Sequence, residues 1–165
     1  MQHQRKLLIG AAALVMGGIG WYAFRPELLF INQTVNETFP GAAVASSRAA
    51  DVLLTGRFHD GAHKTSGMAT IHQLADGKRL LRLNGFSTSN GPDVNVYLVA
   101  APDATDNATV TTAGFLPLGA LKGNTGDQNY EVPADADLNK YRAVTIWCRR
   151  FGVNFGTAPL QPQAN

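Results

Sequence analysis

The chain has 165 residues, a formal net charge of +2 and one cysteine, Cys148. The near-neutral balance, with basic residues scattered and Arg149-Arg150 the main basic pair beyond the first residues, gives no footing for nucleic-acid binding. A lone cysteine rules out a disulfide framework, so any folded part must be stable through its core.

The first residues are basic, with Arg5 and Lys6, and Leu7 to Phe24 then carries no charge. As a helix this run of about 18 residues would be roughly 27 Å long, close to the hydrocarbon thickness of a bilayer. Trp21 and Tyr22 stand where an interfacial aromatic belt would lie, and Pro26 would stop the helix. A cleaved signal peptide needs a small-x-small site after its apolar run. Here the run ends in Trp-Tyr-Ala-Phe-Arg-Pro, so an uncleaved single-pass anchor over residues 1–25 is the favoured expectation. Its cationic start places the N-terminus inside and the rest of the chain outside the cytoplasm, with the lipid bilayer as first partner.

Residues 26–49 read as a neck or linker, although Phe30, Ile31, Val35 and Phe39 are too apolar for a purely solvated tether and are expected to pack on the membrane surface or the main domain. Residues 50–160 are enough for one domain with one core, followed by a polar tail at 161–165.

Within the domain the pattern is all-β. Strands are expected over Asp51 to Phe58, Gly67 to Leu74 and Arg79 to Phe86, with Asp76-Gly77 forming a hairpin turn between the last two. After the turn Asn90-Gly-Pro-Asp93 comes a buried strand from Val94 to Ala100, then a polar loop from Pro102 to Thr112. Phe115 to Leu121 and Asn129 to Val132 are expected to pair with each other. Ala143 to Cys148 and Gly152 to Ala158 close the domain, with no helix after the N-terminal one. An antiparallel two-layer β-sandwich of about eight strands follows.

Cys148 ends the run Ala143-Val-Thr-Ile-Trp-Cys148. Alternation points Val144, Ile146 and Cys148 to one side and Thr145, Trp147 and Arg149 to the other. The first set is apolar, which makes Cys148 a core residue on the simplest reading. A redox or cofactor-binding thiol is the alternative and would need nearby cations, for which Arg149 and Arg150 are candidates. An intermolecular disulfide is the third choice.

His59 and His63 flank a loop, and His72 lies further on. His63 either bonds backbone within a turn or serves as a ligand. Thiolate with imidazole suits copper or haem iron. No Cys-x-x-Cys pattern is present, which argues against thioredoxin chemistry and covalent haem. Asp93, at a strand entry, either caps backbone amides or joins such a site. The acidic stretches Asp103 to Asp106 and Asp135 to Asp137 lack a calcium-loop pattern. No Ser/His/Asp triad, phosphate loop or carboxylate pair marks a conventional enzyme.

The elements Gly56-Arg-Phe58, His63-Lys-Thr-Ser-Gly67, Asp76-Gly77, Leu81-Arg-Leu83, Asn90-Gly-Pro-Asp93-Val-Asn-Val-Tyr97-Leu98, Leu118-Gly-Ala-Leu-Lys-Gly-Asn124, Gln128-Asn-Tyr130-Glu-Val-Pro133 and Ile146-Trp-Cys148-Arg-Arg-Phe-Gly-Val-Asn-Phe155-Gly156 follow one another in order. On these the chain resembles the electron-transfer DM-thirteen domain family, and its anchor and neck look like those of bacterial members. The resemblance implies a β domain with a redox or electron-transfer role centred on Cys148, with His63 and Asp93 as supporting residues and a redox partner protein. The alternative is a ligand-binding, adhesion or envelope-organising module in which Cys148 is structural.

Overall fold

A computed structural model describes residues 2–24, 31–40 and 50–163. The N-terminal run forms helix α1 (Gln2–Phe24). The helix expected as a membrane span is present, but no helix among the described residues is long and apolar enough to cross a membrane. The expected stop at Pro26 and neck residues 41–49 lie outside the described residues.

The rest forms ten strands and one short helix: β1 (Thr34–Asn36), β2 (Asp51–Arg57), β3 (His59–Asp60), β4 (Ser66–Gln73), β5 (Arg79–Ser87), β6 (Val94–Val99), α2 (Asn107–Ala113), β7 (Phe115–Ala120), β8 (Thr125–Val132), β9 (Ala143–Cys148) and β10 (Val153–Pro159). They make two five-stranded sheets, ordered β1-β8-β5-β4-β2 and β3-β10-β9-β6-β7. The sandwich is as expected, with two strands more than the sequence suggested: the two-residue β3 and the neck strand β1. All pairings are antiparallel except β1 with β8, which is parallel.

Alternation builds the core between the sheets. Ala69, Ile71, Leu81, Leu83, Phe86, Tyr130 and Val132 from the first sheet meet Val96, Leu98, Val144, Ile146, Cys148, Phe155 and Ala158 from the second. The Asp76-Gly77 hairpin forms as predicted: Leu74 N–H donates to the Lys78 carbonyl at 2.8 Å, and Gly77 takes a φ of 85°, which favours glycine.

Strands β6 and β9 are buried at every position. Their outer face is covered by the segment expected to be a polar loop. Ala104 and Val110 pack there with Tyr97, Val99, Ala143 and Trp147 as a second apolar cluster. The segment contains α2, started by the Asp106 carboxylate, which accepts from Thr109 N–H at 2.7 Å. The helix was hidden because it is short, rich in threonine, and buries Val110 alone.

The expected β7–β8 hairpin is also corrected. β7 pairs with β6 at the edge of the second sheet, whereas β8 lies between β5 and β1 in the first. Leu121 to Asn124 therefore crosses from one layer to the other. Pro117 cannot donate to a ladder, which suits β7 to an edge.

Residues 31–39, expected as part of a linker, are built into the fold as a strap along β8. Val35 is half-buried, and Phe39 meets the His72 ring edge-on with centroids 4.8 Å apart. Of the two surfaces expected to receive the apolar neck residues, the domain takes these.

Candidate functional site at the Asn90–Asp93 end

One end of the sandwich gathers the sequence-predicted residues. Cys148 is the last residue of β9, opposite Val94 on β6 and Val153 on β10. It is fully buried within the main core. The chain turns immediately afterwards, so Arg150 does not continue the strand and is exposed, and the Arg149 side chain is 68% exposed. Arg150 would share the thiol's face only if the strand ran on unbent, and β9 ends at Cys148.

Arg149 reaches Asp93 instead. Its Nε donates to the Asp93 carboxylate at 3.0 Å, and its backbone N–H donates to the Asp93 carbonyl at 2.9 Å. Asn95 Nδ2 adds a third donor at 3.0 Å. Burial alone would raise the Asp93 carboxyl, but the bonds from Asn95 and Arg149, with the charges of Arg149 and Arg150, hold it below its usual range. Asp93 thus clamps the β5–β6 loop to the β9–β10 turn. Its carboxylate takes the Asn95 side-chain amide and the Arg149 guanidinium, where one sequence reading expected it to cap backbone amides.

His63 sits in the loop after β3. Its ring lies on Phe155 at 4.0 Å between centroids, and its backbone N–H donates to the Phe155 carbonyl at 3.2 Å. Gly61 and Ala62 donate to Phe155 and Asn154 in the same way, and Thr65 Oγ1 donates to the Phe155 carbonyl at 3.0 Å. This wrap is seated on a bulge in β10 between Asn154 and Gly156. A Cβ on Gly156 would lie 2.4 Å from Thr65 Cβ, so only glycine lets the loop close. Phe155 links the parts. A Cβ on Gly91 would stand 2.9 Å from the Phe155 ring and 2.7 Å from Val94 Cγ2.

Cys148, His63 and Asp93 therefore surround the Phe155–Val94 pair, but each is engaged differently: thiol in the core, imidazole on an aromatic face, carboxylate in an ion pair. The three histidines considered as ligands are dispersed. His59 Nε2 bonds Asp103 Oδ1 at 2.8 Å, while His72 lies on the outer face of the first sheet beneath Phe39. Among the described residues no three His, Cys, Asp or Glu side chains converge as a metal site would require. His63, Cys148 and Asp93 therefore do not form a three-ligand copper site in this arrangement.

Sequence reasoning missed a cleft of about 240 Å³ at this end, lined by Ile31, Gln33, Asn90, Asp93, Val94 and Asn124 among others. Asn124 is buried and organises its floor. Its Nδ2 donates to the Thr88 carbonyl at 3.1 Å and to Asn32 Oδ1 at 2.9 Å, and its Oδ1 accepts from Gln33 N–H at 2.7 Å. Asn90 Nδ2 donates to the Ile31 carbonyl at 2.9 Å. Both asparagines stand in the quoted motifs, but nothing in those motifs tells that the neck segment would roof the cleft. Val94 connects the two features, because it lines the cleft and is the direct cross-strand partner of Cys148. Facing side chains of such a pair have Cβ atoms about 5 Å apart.

Comparison with known proteins agrees with the motif order. No curated protein and no solved structure matches the chain. The family model described as Electron transfer DM13 matches residues 57–160, from the last residue of β2 to just beyond β10. That span covers more than half of the chain and includes His63, Asp93 and Cys148, and the protein belongs to the Electron transfer DM13 family.

Proposed function

We propose that this domain passes electrons and that Cys148 is its redox group. Family membership carries the reading, and the cleft reaches Val94, the strand partner that stands between it and the thiol. With one cysteine in the chain, Cys148 gives up an electron pair by bonding Sγ to a second sulfur from outside. The balanced step is thiol–disulfide exchange. The Cys148 thiol gives its proton to water, its thiolate attacks a disulfide R–S–S–R, the Cys148–S–S–R bond forms, and the other sulfur departs with the bonding pair as a thiolate that takes up a proton from water. Asp93, through Arg149, holds the β9–β10 turn against the cleft, and His63 holds Phe155 in place behind it; both are positioning residues in this reading.

The test is to equilibrate the full chain with glutathione and its disulfide over a range of redox poise and weigh the protein. One adduct that forms reversibly in the folded state and is absent from Cys148→Ala supports the proposal. A folded protein that takes no adduct at any poise, while the denatured chain does, overturns it. Metal content and visible absorption of both proteins, measured alongside, would reveal a cofactor held through Cys148.

The full burial of Cys148 among Val144, Ile146 and Phe155 favours a second reading, a non-enzymatic binding module with a structural cysteine. In that case Cys148→Ser costs about 1–3 kcal/mol, the penalty of an unpartnered hydroxyl in an apolar site, and changes nothing else.

The uncharged run Leu7 to Phe24 after Arg5 and Lys6 is the support for anchoring the domain outside the cytoplasm on a membrane. Release of the full chain from membranes by alkaline carbonate would refute anchoring.

A further inference from the structure

The strap is attached by polar contacts that run from Ile31 to Thr38, whose carbonyl accepts from Asn129 Nδ2 at 3.0 Å, and by the apolar side chains of Val35 and Phe39. Register pairs Thr34 with Thr125, Val35 with Gly126 and Asn36 with Asp127. Glu37 follows: its N–H donates to the Asp127 carbonyl at 2.9 Å, its carboxylate takes Lys122 Nζ at 2.8 Å and Asn129 N–H at 2.7 Å, and its carbonyl accepts from Arg82 at 3.1 Å. The edge of β8 is shaped for this: a Cβ on Gly126 would stand 2.1 Å from the Val35 carbonyl oxygen. At the far end Phe39 lies edge-on to His72, with the Arg82 guanidinium carbon 5.9 Å from the centre of the phenyl ring.

His72 is the weak point. Its Nδ1 is buried with no hydrogen-bond partner. A neutral imidazole can leave that nitrogen as an unused acceptor, but an imidazolium has a donor on both nitrogens and would bury one unsatisfied. The charged residues on the elements around it are Glu37 on the strap, Asp51 and Arg57 on β2, Arg79 and Arg82 on β5, and Asp127 and Glu131 on β8, with Arg79 donating to the Ala136 carbonyl at 2.8 Å. Glu37 is taken by Lys122, and Asp127 by Arg82 at 2.7 Å. The facing residues on β2 and β5, Val52 and Leu80, are apolar.

We propose that the strap is a proton-operated latch: a proton on His72 expels Phe39, frees residues 31–39 from β8, and so unroofs the cleft lined by Ile31 and Gln33. The latch is independent of whether Cys148 is redox-active.

Burial first, and then the charge of Arg82, hold the His72 imidazole below its ordinary 6.5 while the strap is docked. The freed form binds the proton more readily, so docking is strongest above pH 6.5 and weakens as pH falls below it. Glu37 cannot account for a change in that window, because its carboxyl is held below 4.5.

Hydrogen exchange on the full chain reads the latch directly. After correction for intrinsic exchange chemistry, protection of the Val35 to Glu37 amides should fall by up to about tenfold per pH unit below about 6.5, the limit for one proton. His72→Gln should make protection independent of pH, and Phe39→Ala should leave it low at every pH. Glu37→Gln should weaken docking but keep the pH response. Protection that stays flat with pH in the native chain overturns the latch. So does a response that survives His72→Gln or vanishes in Glu37→Gln alone.

Discussion

The burial of Cys148 can be turned into a rate. A fully buried thiol reacts with a maleimide or disulfide reagent only from an open form, so labelling is slowed by the free energy of opening. A domain of this size has a global stability of at least about 6 kcal/mol, and each 1.4 kcal/mol is about tenfold. Labelling through global unfolding alone is therefore at least about 10⁴-fold slower than in the denatured chain. Local release of the Asn90–Asp93 loop is the cheaper route, because Val94 separates the cleft from its strand partner Cys148. If that route costs about 3–4 kcal/mol, protection falls to about 10²- to 10³-fold, and the rate hardly responds to low urea because little surface is exposed. Val94→Ala removes two methyl groups worth about 2 kcal/mol of burial. It should speed labelling about 30-fold, without added urea dependence if the local route operates and with steep dependence if the global one does. A native thiol that labels within tenfold of the denatured rate refutes the reasoning, since it would mean that Cys148 is not enclosed.

Other outcomes follow from single residues. Gln128 is fully buried: its Nε2 donates to the Gly123 carbonyl at 2.8 Å, and its Oε1 accepts from Tyr130 at 2.8 Å and from two backbone amides of the Leu121–Asn124 crossing. Gln128→Leu strands these groups and should cost about 3–5 kcal/mol by urea midpoint at unchanged slope; a loss under about 1 kcal/mol would contradict the assignment. Burial pushes the Tyr130 hydroxyl up to about 12. Its contribution to stability is intact below pH 10 and is lost as pH rises toward 12, so alkaline unfolding should shift to higher pH in Tyr130→Phe. Burial lowers the His59 imidazole, but the bonds to Asp103 and the Asp60 carbonyl outweigh it and raise it above 6.5. That pair stabilises below pH 6.5 and loses its effect as pH climbs through the raised value, the opposite sign to His72. The amide of Ala104, bonded to Asp103, should show the trend by NMR, and His59→Gln should abolish it. Gly156→Ala should cost about 1–3 kcal/mol by thermal unfolding, because its methyl group meets Thr65 in a closed loop.

Alternation and turn chemistry made the strands and the inward direction of Cys148 legible, since period-two patterns survive in any β-sandwich. Partnership was not legible. β7 and β8 are adjacent in sequence and separated by a turn-like segment, yet lie in different sheets. Only the Gln128 network and the apolar faces they complete decide that. β1 was read as neck because three residues with one apolar side chain hold too little pattern. Its pairing depends on Gly123 and Gly126, some 90 residues later, leaving space for its backbone. At the site, the family resemblance grouped Asp93 and His63 with Cys148. It did not reveal that Arg149 belongs to Asp93, nor that His63 spends its ring on Phe155.

The family match begins at Arg57, and the sheet it encloses does not. A fragment cut at that boundary would lose β1 and nearly all of β2, the strands at the two ends of the first sheet. What remains, β8-β5-β4, would present bare hydrogen-bonding edges on both sides, each able to recruit the edge of another molecule. Residues ahead of the family boundary thus serve as edge guards, and their removal would show as self-association before any change in chemistry.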